Sequence, residues 1–275
     1  SDSGVTTEID KIIFGEGISK DSLTVKRDND NLVIDYSESD RITINSWFYN
    51  GYRNYYVGYN RIEQIEFADG TSLNLTQIES FNSKVEGTTS NETLYGLSGN
   101  DVINGKGGTQ DRLYGYAGND TLTTLEGNDY LYGGEGDDVL NAGAGNDYLY
   151  GENGNDVLNG EAGNDNLSAG NGDDILNGGT GTDYLSGDSG NDTYIFNLGD
   201  GVDTISEYGN TTEIDKIVFG EGISKDSINI RRDGSTNHLV IEYSETDKIT
   251  INNWFYGTSY QIERFEFADG TVLVP

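Results

Sequence analysis

The chain has 275 residues, 48 acidic and 16 basic, for a formal net charge of −32. With no cysteine it builds no disulfide framework, thiolate metal site or thiol nucleophile, and charge of this sign repels a phosphate backbone, so no nucleic-acid partner is expected. No stretch approaches the ~18 apolar residues of a membrane span, while 19 tyrosines, nine phenylalanines and two tryptophans are too many for a disordered chain.

In chain order, residues 1–82 read as a small β module. Short β-branched and aromatic runs (Leu23–Val25, Leu32–Ile34, Ile42–Ile44, Ile62–Phe67) alternate with Asp, Asn and Gly turns, and Asp69-Gly70 has the form of a tight hairpin turn. Trp47-Phe48 reads as a core anchor ahead of a sugar-stacking platform. The segment from Asn50 to Asn60 carries Tyr52, Arg53, Tyr55, Tyr56 and Tyr59. Such a tyrosine–arginine loop suits contact with a partner protein or glycan, and the alternative is packing along the neighbouring domain.

Residues 83–196 hold a nonapeptide repeat, read as twelve copies between residues 87 and 195. The best copies are GGEGDDVLN from Gly133, AGAGNDYLY from Ala142, GENGNDVLN from Gly151 and AGNGDDILN from Ala169. Position 8 is Leu or Ile until the last copy, which has Tyr194. Positions 7 to 9 predict a three-residue strand with position 8 facing inward, and the six-residue loop needs glycine to curl back. One such strand buries almost nothing, so neighbours must stack. Two repeats then make one turn of a flattened right-handed coil, with two parallel sheets facing across a row of leucines. The expected fold is all-β, a parallel β-roll of about six two-repeat turns flanked by two small duplicated β modules.

Position 6 is acidic in every copy: Glu92, then Asp101, Asp111, Asp120, Asp129, Asp138, Asp147, Asp156, Asp165, Asp174, Asp183 and Asp192. Alternate members stack along opposite edges, roughly 4.8 Å apart. Each neighbouring pair then repels by roughly 3 kcal/mol at an effective dielectric near 20, which a thin leucine core cannot offset. A divalent cation between loops reverses the sign. Carboxylates with glycine-loop carbonyls are hard oxygen donors, which selects calcium. The candidate carbonyl donors are Gly133, Gly134, Gly136, Gly143, Gly145, Gly154, Gly163, Gly172, Gly178, Gly179, Gly181 and Gly190. Five gaps per edge hold up to about ten ions. Three copies depart from the pattern. The first has Glu92 and one loop glycine, the third an extra residue, and the fifth opens Thr124-Leu125. All three lie on one edge, where the weakest binding is expected.

Residues 197–275 are a connector and a second copy of the first module. TTEIDKIIFGEGISKDS from Thr6 returns as TTEIDKIVFGEGISKDS from Thr211, and DRITINSWFY from Asp40 as DKITINNWFY from Asp247. The duplication reads as one unit of a longer array, and a start without methionine or a signal-like segment reads the same way. His238, the only histidine, falls in a turn and is expected to be solvated.

Tandem GGxGxDxUx nonapeptides resemble the RTX (repeats-in-toxin, haemolysin-type calcium-binding) proteins. The GDGVDTI run from Gly199 resembles the way members end their rolls, and Asp200 and Asp203 there read as a terminal ion site or a plain turn. The D-x-I-x-F, I-x-I-x-x-W-F and F-A-D-G elements at Asp10, Ile42 and Phe67 resemble the haemolysin-type calcium-binding-related domain, with no catalytic activity implied. Its physical task would be to cover the open ends of a roll. The resemblance implies a calcium-folded module of a secreted or surface-exposed bacterial toxin, adhesin or exoenzyme, exported by a type I system. Two alternatives stand: an adhesin segment with the roll as rigid spacer binding a host or matrix glycan or protein, or the accessory domain of a hydrolase. Neighbouring repeat units of a longer chain are further expected partners. No enzyme is expected here: H-E-x-x-H, G-x-S-x-G and P-loop motifs are missing, and the single proline, Pro275, follows Val274, so there is no Asp-Pro bond for a self-cleaving module.

Overall fold

A computed structural model describes residues 9–48, 62–208 and 212–275. Its centre is a parallel β-solenoid. Strands Thr93–Tyr95, Arg112–Ala117, Tyr130–Glu135, Tyr148–Asn153, Asn166–Asn171 and Tyr184–Ser189 stack into one sheet. Strands Lys84–Glu86, Val102–Asn104, Thr121–Thr123, Val139–Asn141, Val157–Asn159, Ile175–Asn177 and Thr193–Phe196 stack into the other. Leu131 pairs with Leu149 and Leu149 with Leu167 in parallel register, so one coil consumes two nonapeptides.

The inward position is occupied by the leucine row. Leu113, Leu122, Leu131, Leu140, Leu149, Leu158, Leu167, Leu176 and Leu185 are fully buried. Tyr194 closes the row, its hydroxyl donating to Glu207 and accepting the Gly187 N–H at 2.8 Å. Outside the first sheet, tyrosines repeat with the coil. Tyr114 and Tyr132 stack with centroids 4.7 Å apart, Tyr132 and Tyr150 at 5.0 Å, and Tyr130 and Tyr148 at 4.9 Å.

The loops explain the glycines. Gly145 has φ +145°, and a Cβ built on it would stand 1.4 Å from the carbonyl oxygen of Gly127, one coil earlier. No side chain fits between stacked loops at that position.

The first module has its own core. Strands Thr24–Asp28, Asn31–Asp35 and Arg41–Ile44 form an antiparallel sheet, and Lys11–Ile13 runs parallel to Gln64–Glu66, which turns back into Ser72–Asn74. Phe14, Val25, Leu32, Ile34, Trp47, Ile65 and Phe67 pack between them. The short helix Leu75–Glu79, capped by the Asn74 side chain accepting the Gln77 N–H at 2.9 Å, leads to the roll.

The second module lengthens both sheets of the roll. Lys216–Phe219 pairs parallel with Thr193–Phe196, and Val202–Ile205 and then Lys248–Ile251 follow Tyr184–Ser189 in parallel. Antiparallel strands Leu239–Glu242 and Asn229–Arg232 finish one sheet, and Arg264–Phe267 and Val272–Leu273 the other. Both sheets reach ten strands, and one apolar cluster runs from Val85 to Phe267. Trp254 is buried in that cluster. His238 differs from the sequence expectation. It is half-buried, because its turn folds onto the tryptophan loop and its Nδ1 accepts the Asn253 N–H at 3.0 Å.

Two substitutions test this packing. Leu149→Ala opens a cavity in the single-file core and is expected to cost about 2–5 kcal/mol. Gly145→Ala adds a clash to a backbone conformation worth about 1–3 kcal/mol of strain. Thermal unfolding in saturating calcium, against Tyr148→Ala on the outer face, measures both. Equal stability of all three variants would contradict the arrangement.

Candidate metal centre

Each position-6 aspartate stands where a glycine loop enters a strand. The fixed register of the coil puts every carboxylate beside the equivalent residue one turn away. On one edge the Asp101 N–H donates to Asp120 Oδ1 at 2.7 Å, Asp120 to Asp138 at 2.7 Å, Asp138 to Asp156 at 2.8 Å, Asp156 to Asp174 at 2.7 Å and Asp174 to Asp192 at 2.9 Å. On the other edge Asp111 donates to Asp129 at 2.6 Å, Asp129 to Asp147 at 2.7 Å, and Asp147 to Asp165 and Asp165 to Asp183 at 2.8 Å each. All eleven predicted aspartates are at most 2% exposed.

One oxygen of each carboxylate is thereby used. The second, Oδ2, is buried without a hydrogen-bond partner in Asp111, Asp120, Asp129, Asp138, Asp147, Asp156, Asp165, Asp174, Asp183 and Asp192. A buried carboxylate oxygen with no partner costs several kcal/mol, and a row of them calls for a common cause. Burial dominates their acidity. It pushes Asp147, Asp156 and Asp183 up to about 6, Asp138, Asp165 and Asp174 to about 7, and Asp120 and Asp192 to about 8, against the lowering effect of the backbone N–H bonds. Asp101, Asp111 and Asp129 are raised for the same reason.

Two further groups line the loops. The carbonyl oxygens of Gly127, Gly145 and Gly163 aim at the equivalent glycine of the next coil, and those of Gly118, Gly136, Gly154 and Gly172 do the same on the opposite edge. Of the predicted donors, Gly136, Gly145, Gly154, Gly163, Gly172, Gly181 and Gly190 hold this fourth loop position. Gly133 and Gly178 hold the first, against the Oδ2 of Asp138 and Asp183, and Gly134, Gly143 and Gly179 the second. Position-5 side chains point outward and tie coils together: Asn128 Oδ1 accepts the Asn146 N–H at 2.8 Å and Asn146 Oδ1 the Asn164 N–H at 2.9 Å.

The irregular copies differ locally. Glu92 folds into its own loop and accepts the Thr88 N–H at 2.5 Å. Thr124 is buried where glycine would stand, its Oγ1 donating to the Ala142 carbonyl at 2.7 Å. The acidic rows also run beyond the glycine repeats. Asp203 Oδ1 accepts the Asp183 N–H at 3.0 Å, Asp215 Oδ1 accepts the Asp192 N–H at 2.9 Å, and the Asp215 N–H donates to Glu263 at 2.9 Å. Burial raises Asp203 to about 8 and Asp215 to about 6. The sequence reading passed over Asp215 and left Asp203 open. The usable signal is the D-x-U step shared by Asp203-Thr204-Ile205, Asp215-Lys216-Ile217 and the nonapeptides, which at Asp203 follows a shortened Gly199-Asp200-Gly201 loop.

Among the described residues no three carboxylate or imidazole side chains converge. A cation between two loops would thus meet the unpartnered Oδ2 atoms and draw its remaining ligands from backbone carbonyls and water. The residues present fit a hard divalent ion of high coordination number. Tyr52, Arg53, Tyr55, Tyr56 and Tyr59 lie outside the described residues. No helix among those described is long and apolar enough to cross a membrane.

Comparison with known proteins agrees with this geometry. The RTX calcium-binding nonapeptide repeat model matches residues 86–109, 107–140, 132–167, 160–194 and 168–205. The haemolysin-type calcium binding protein related domain matches residues 31–77 and 238–274. Iron-regulated protein FrpA of Neisseria meningitidis serogroup C is 39% identical over 86 residues, which is 30% of this chain and 8% of that protein. The parallel coil, the glycine loops and the aspartate rows together place the chain among the RTX proteins, with a calcium-binding nonapeptide roll between two haemolysin-type calcium binding protein related domains.

Proposed function

We propose that calcium ions sit between successive loops along each edge, held by the position-6 aspartates and loop carbonyls, and that their binding drives the roll to fold. The observation that carries this reading is the row of buried Oδ2 atoms without partners. Up to about ten ions would be bound between the glycine loops, with Glu92 and the Thr124-Leu125 loop marking the weaker edge. The mechanism is linkage. Where calcium is scarce the aspartates resist burial and the chain stays open. Near-millimolar calcium, typical of weak extracellular sites, stabilises only the folded state, and the effect multiplies over coupled sites.

This makes the chain a folding module of a secreted or surface-exposed bacterial protein, exported unfolded by a type I route and locked outside by calcium. We assign it no catalytic role. The activity of a full-length parent, toxin, adhesin or exoenzyme, would reside elsewhere. The partial likeness to a large Neisseria protein supports a multi-unit parent.

The direct test is far-UV circular dichroism in chelator followed by calcium titration, with magnesium as control. A steep, calcium-specific gain of β signal near the millimolar range is expected. A spectrum fully β in chelator and unmoved by calcium would sink the proposal.

Protons compete for the same oxygens. The folded-state values of about 6 to 8 lie above the ordinary 3.8. The metal-free roll is therefore most stable below about pH 4 and loses stability as pH rises through 6 to 8. In chelator the β signal should grow on acidification from pH 8 to 5, whereas the calcium midpoint should rise over the same range. Parallel pH trends in the two series would contradict the competition.

Asp156→Asn separates the two roles of a carboxylate. Its Oδ1 still accepts the Asp138 N–H, so the coil geometry survives. We expect a calcium midpoint raised roughly tenfold through the loss of ligand charge, and a metal-free state more stable at pH 8 than that of the parent. A variant less stable in both conditions would make Asp156 a purely structural residue.

A further inference from the structure

The two modules are near-copies, yet the structure places them in opposite situations. The second receives the end of a roll. Lys216–Phe219 and Lys248–Ile251 each pair in parallel with one of its strands, Thr193–Phe196 and Val202–Ile205. Asp215 and Asp247 accept the N–H groups of Asp192 and Gly199, each at 2.9 Å. Ile217, Ile249 and Ile251 are fully buried behind this contact, and Tyr243 packs on Phe196.

The corresponding strands of the first module, Lys11–Ile13 and Arg41–Ile44, are the outermost strands of their three-stranded sheets. Each has a partner on one side, Gln64–Glu66 and Asn31–Asp35. Ile12, Ile42 and Ile44 are only half-buried, and Ile13 is 66% exposed. The acceptors are already set. The Asp10 N–H donates to Glu63 at 2.8 Å as that of Asp215 does to Glu263 at 2.9 Å. Ser37 Oγ donates to Asp40 at 2.8 Å as Ser244 Oγ does to Asp247 at 2.7 Å. Among the described residues, two parallel-pairing edges, one on each sheet, with a thinly covered apolar end form an association surface of defined register.

The other face of the module shows the same asymmetry in reverse. Arg27 lies 4.5 Å from both the Phe48 and Tyr95 rings and 5.2 Å from Tyr116, and donates to the Tyr116 hydroxyl at 3.0 Å. These tyrosines belong to the first coils of the roll. The equivalent Arg232 lies 4.9 Å over Phe255, which is 46% exposed. The first module thus contacts the start of the roll and the second its end.

We propose that the open edges Lys11–Ile13 and Arg41–Ile44 take the last coil of another nonapeptide roll, lying upstream in the same polypeptide. It would dock as Thr193–Phe196 and Val202–Ile205 dock on the second module, with Asp10 and Asp40 accepting its backbone N–H groups. The module is then a two-sided splice that joins consecutive rolls into one solenoid. This concerns strand pairing and holds whatever ion occupies the loops.

Hydrogen–deuterium exchange in saturating calcium tests it on the whole chain and on a lengthened chain with residues 83–205 repeated directly ahead of Ser1. In the original chain, peptides covering 11–14 and 41–45 should exchange at least tenfold faster than those covering 216–219 and 248–251. In the lengthened chain they should slow to match. Unchanged exchange beside a protected added roll would overturn the proposal. So would an added roll that stays unprotected, because an accepting face templates its last coil. Protection that rises in the original chain with protein concentration would identify a second copy as the occupant and overturn the docking in one chain.

Discussion

The structure turns on a carboxylate satisfied at one oxygen only. Each position-6 aspartate accepts a backbone N–H from the neighbouring coil through Oδ1, which locks the spacing of the turns. From Asp111 to Asp192 the Oδ2 is enclosed without a partner, whereas that of Asp101 accepts the Leu97 N–H at 2.5 Å. The same residue therefore sets the geometry of the coil and makes it unfavourable at neutral pH without a counter-charge. A proton or a cation at Oδ2 supplies the partner that the fold leaves out and removes that cost.

Little apolar material lies between the sheets. One leucine per strand is a thin core, and its effect is cumulative along the stack. The coils also share backbone bonds, Asn ladders and stacked tyrosines, so each turn is supported by the next. A stack of this kind has vulnerable ends. The second module meets one of them by continuing both sheets and then turning antiparallel, which converts open parallel edges into short hairpins. Tyr194 replaces leucine at the junction and donates to the buried Glu207, whose carboxyl burial raises to about 8. The acidic logic of the roll thus extends into the cap.

The first module shows what the same sequence elements do when, among the described residues, only the face toward the start of the roll is occupied. Its tryptophan core closes independently, and Arg27 clamps it to the opening coils through an aromatic sandwich. Domain and roll are parts of one continuous packing scheme, in which the module ends one solenoid and begins the next.

Much of this was readable from the amino acids alone. The nine-residue period, the inward leucine and the aspartate at position 6 determined a stacked parallel coil with two acidic rows and a demand for hard cations, because a three-residue strand with one apolar residue buries nothing until equivalent strands stack on it. The duplicated flanks were equally legible. The tertiary structure alone decided three things. Asp203 and Asp215 extend the rows although the nine-residue spacing stops at Asp192, since parallel pairing carries the register past the repeats. Nor does local sequence report that one carboxylate oxygen is consumed by a neighbouring N–H, because the partners sit two repeats apart. And two modules of nearly the same sequence came to differ in burial, Ile217 enclosed and Ile12 half-open, because burial depends on which strand lies alongside, and among the described residues only the second module has the end of a roll against it.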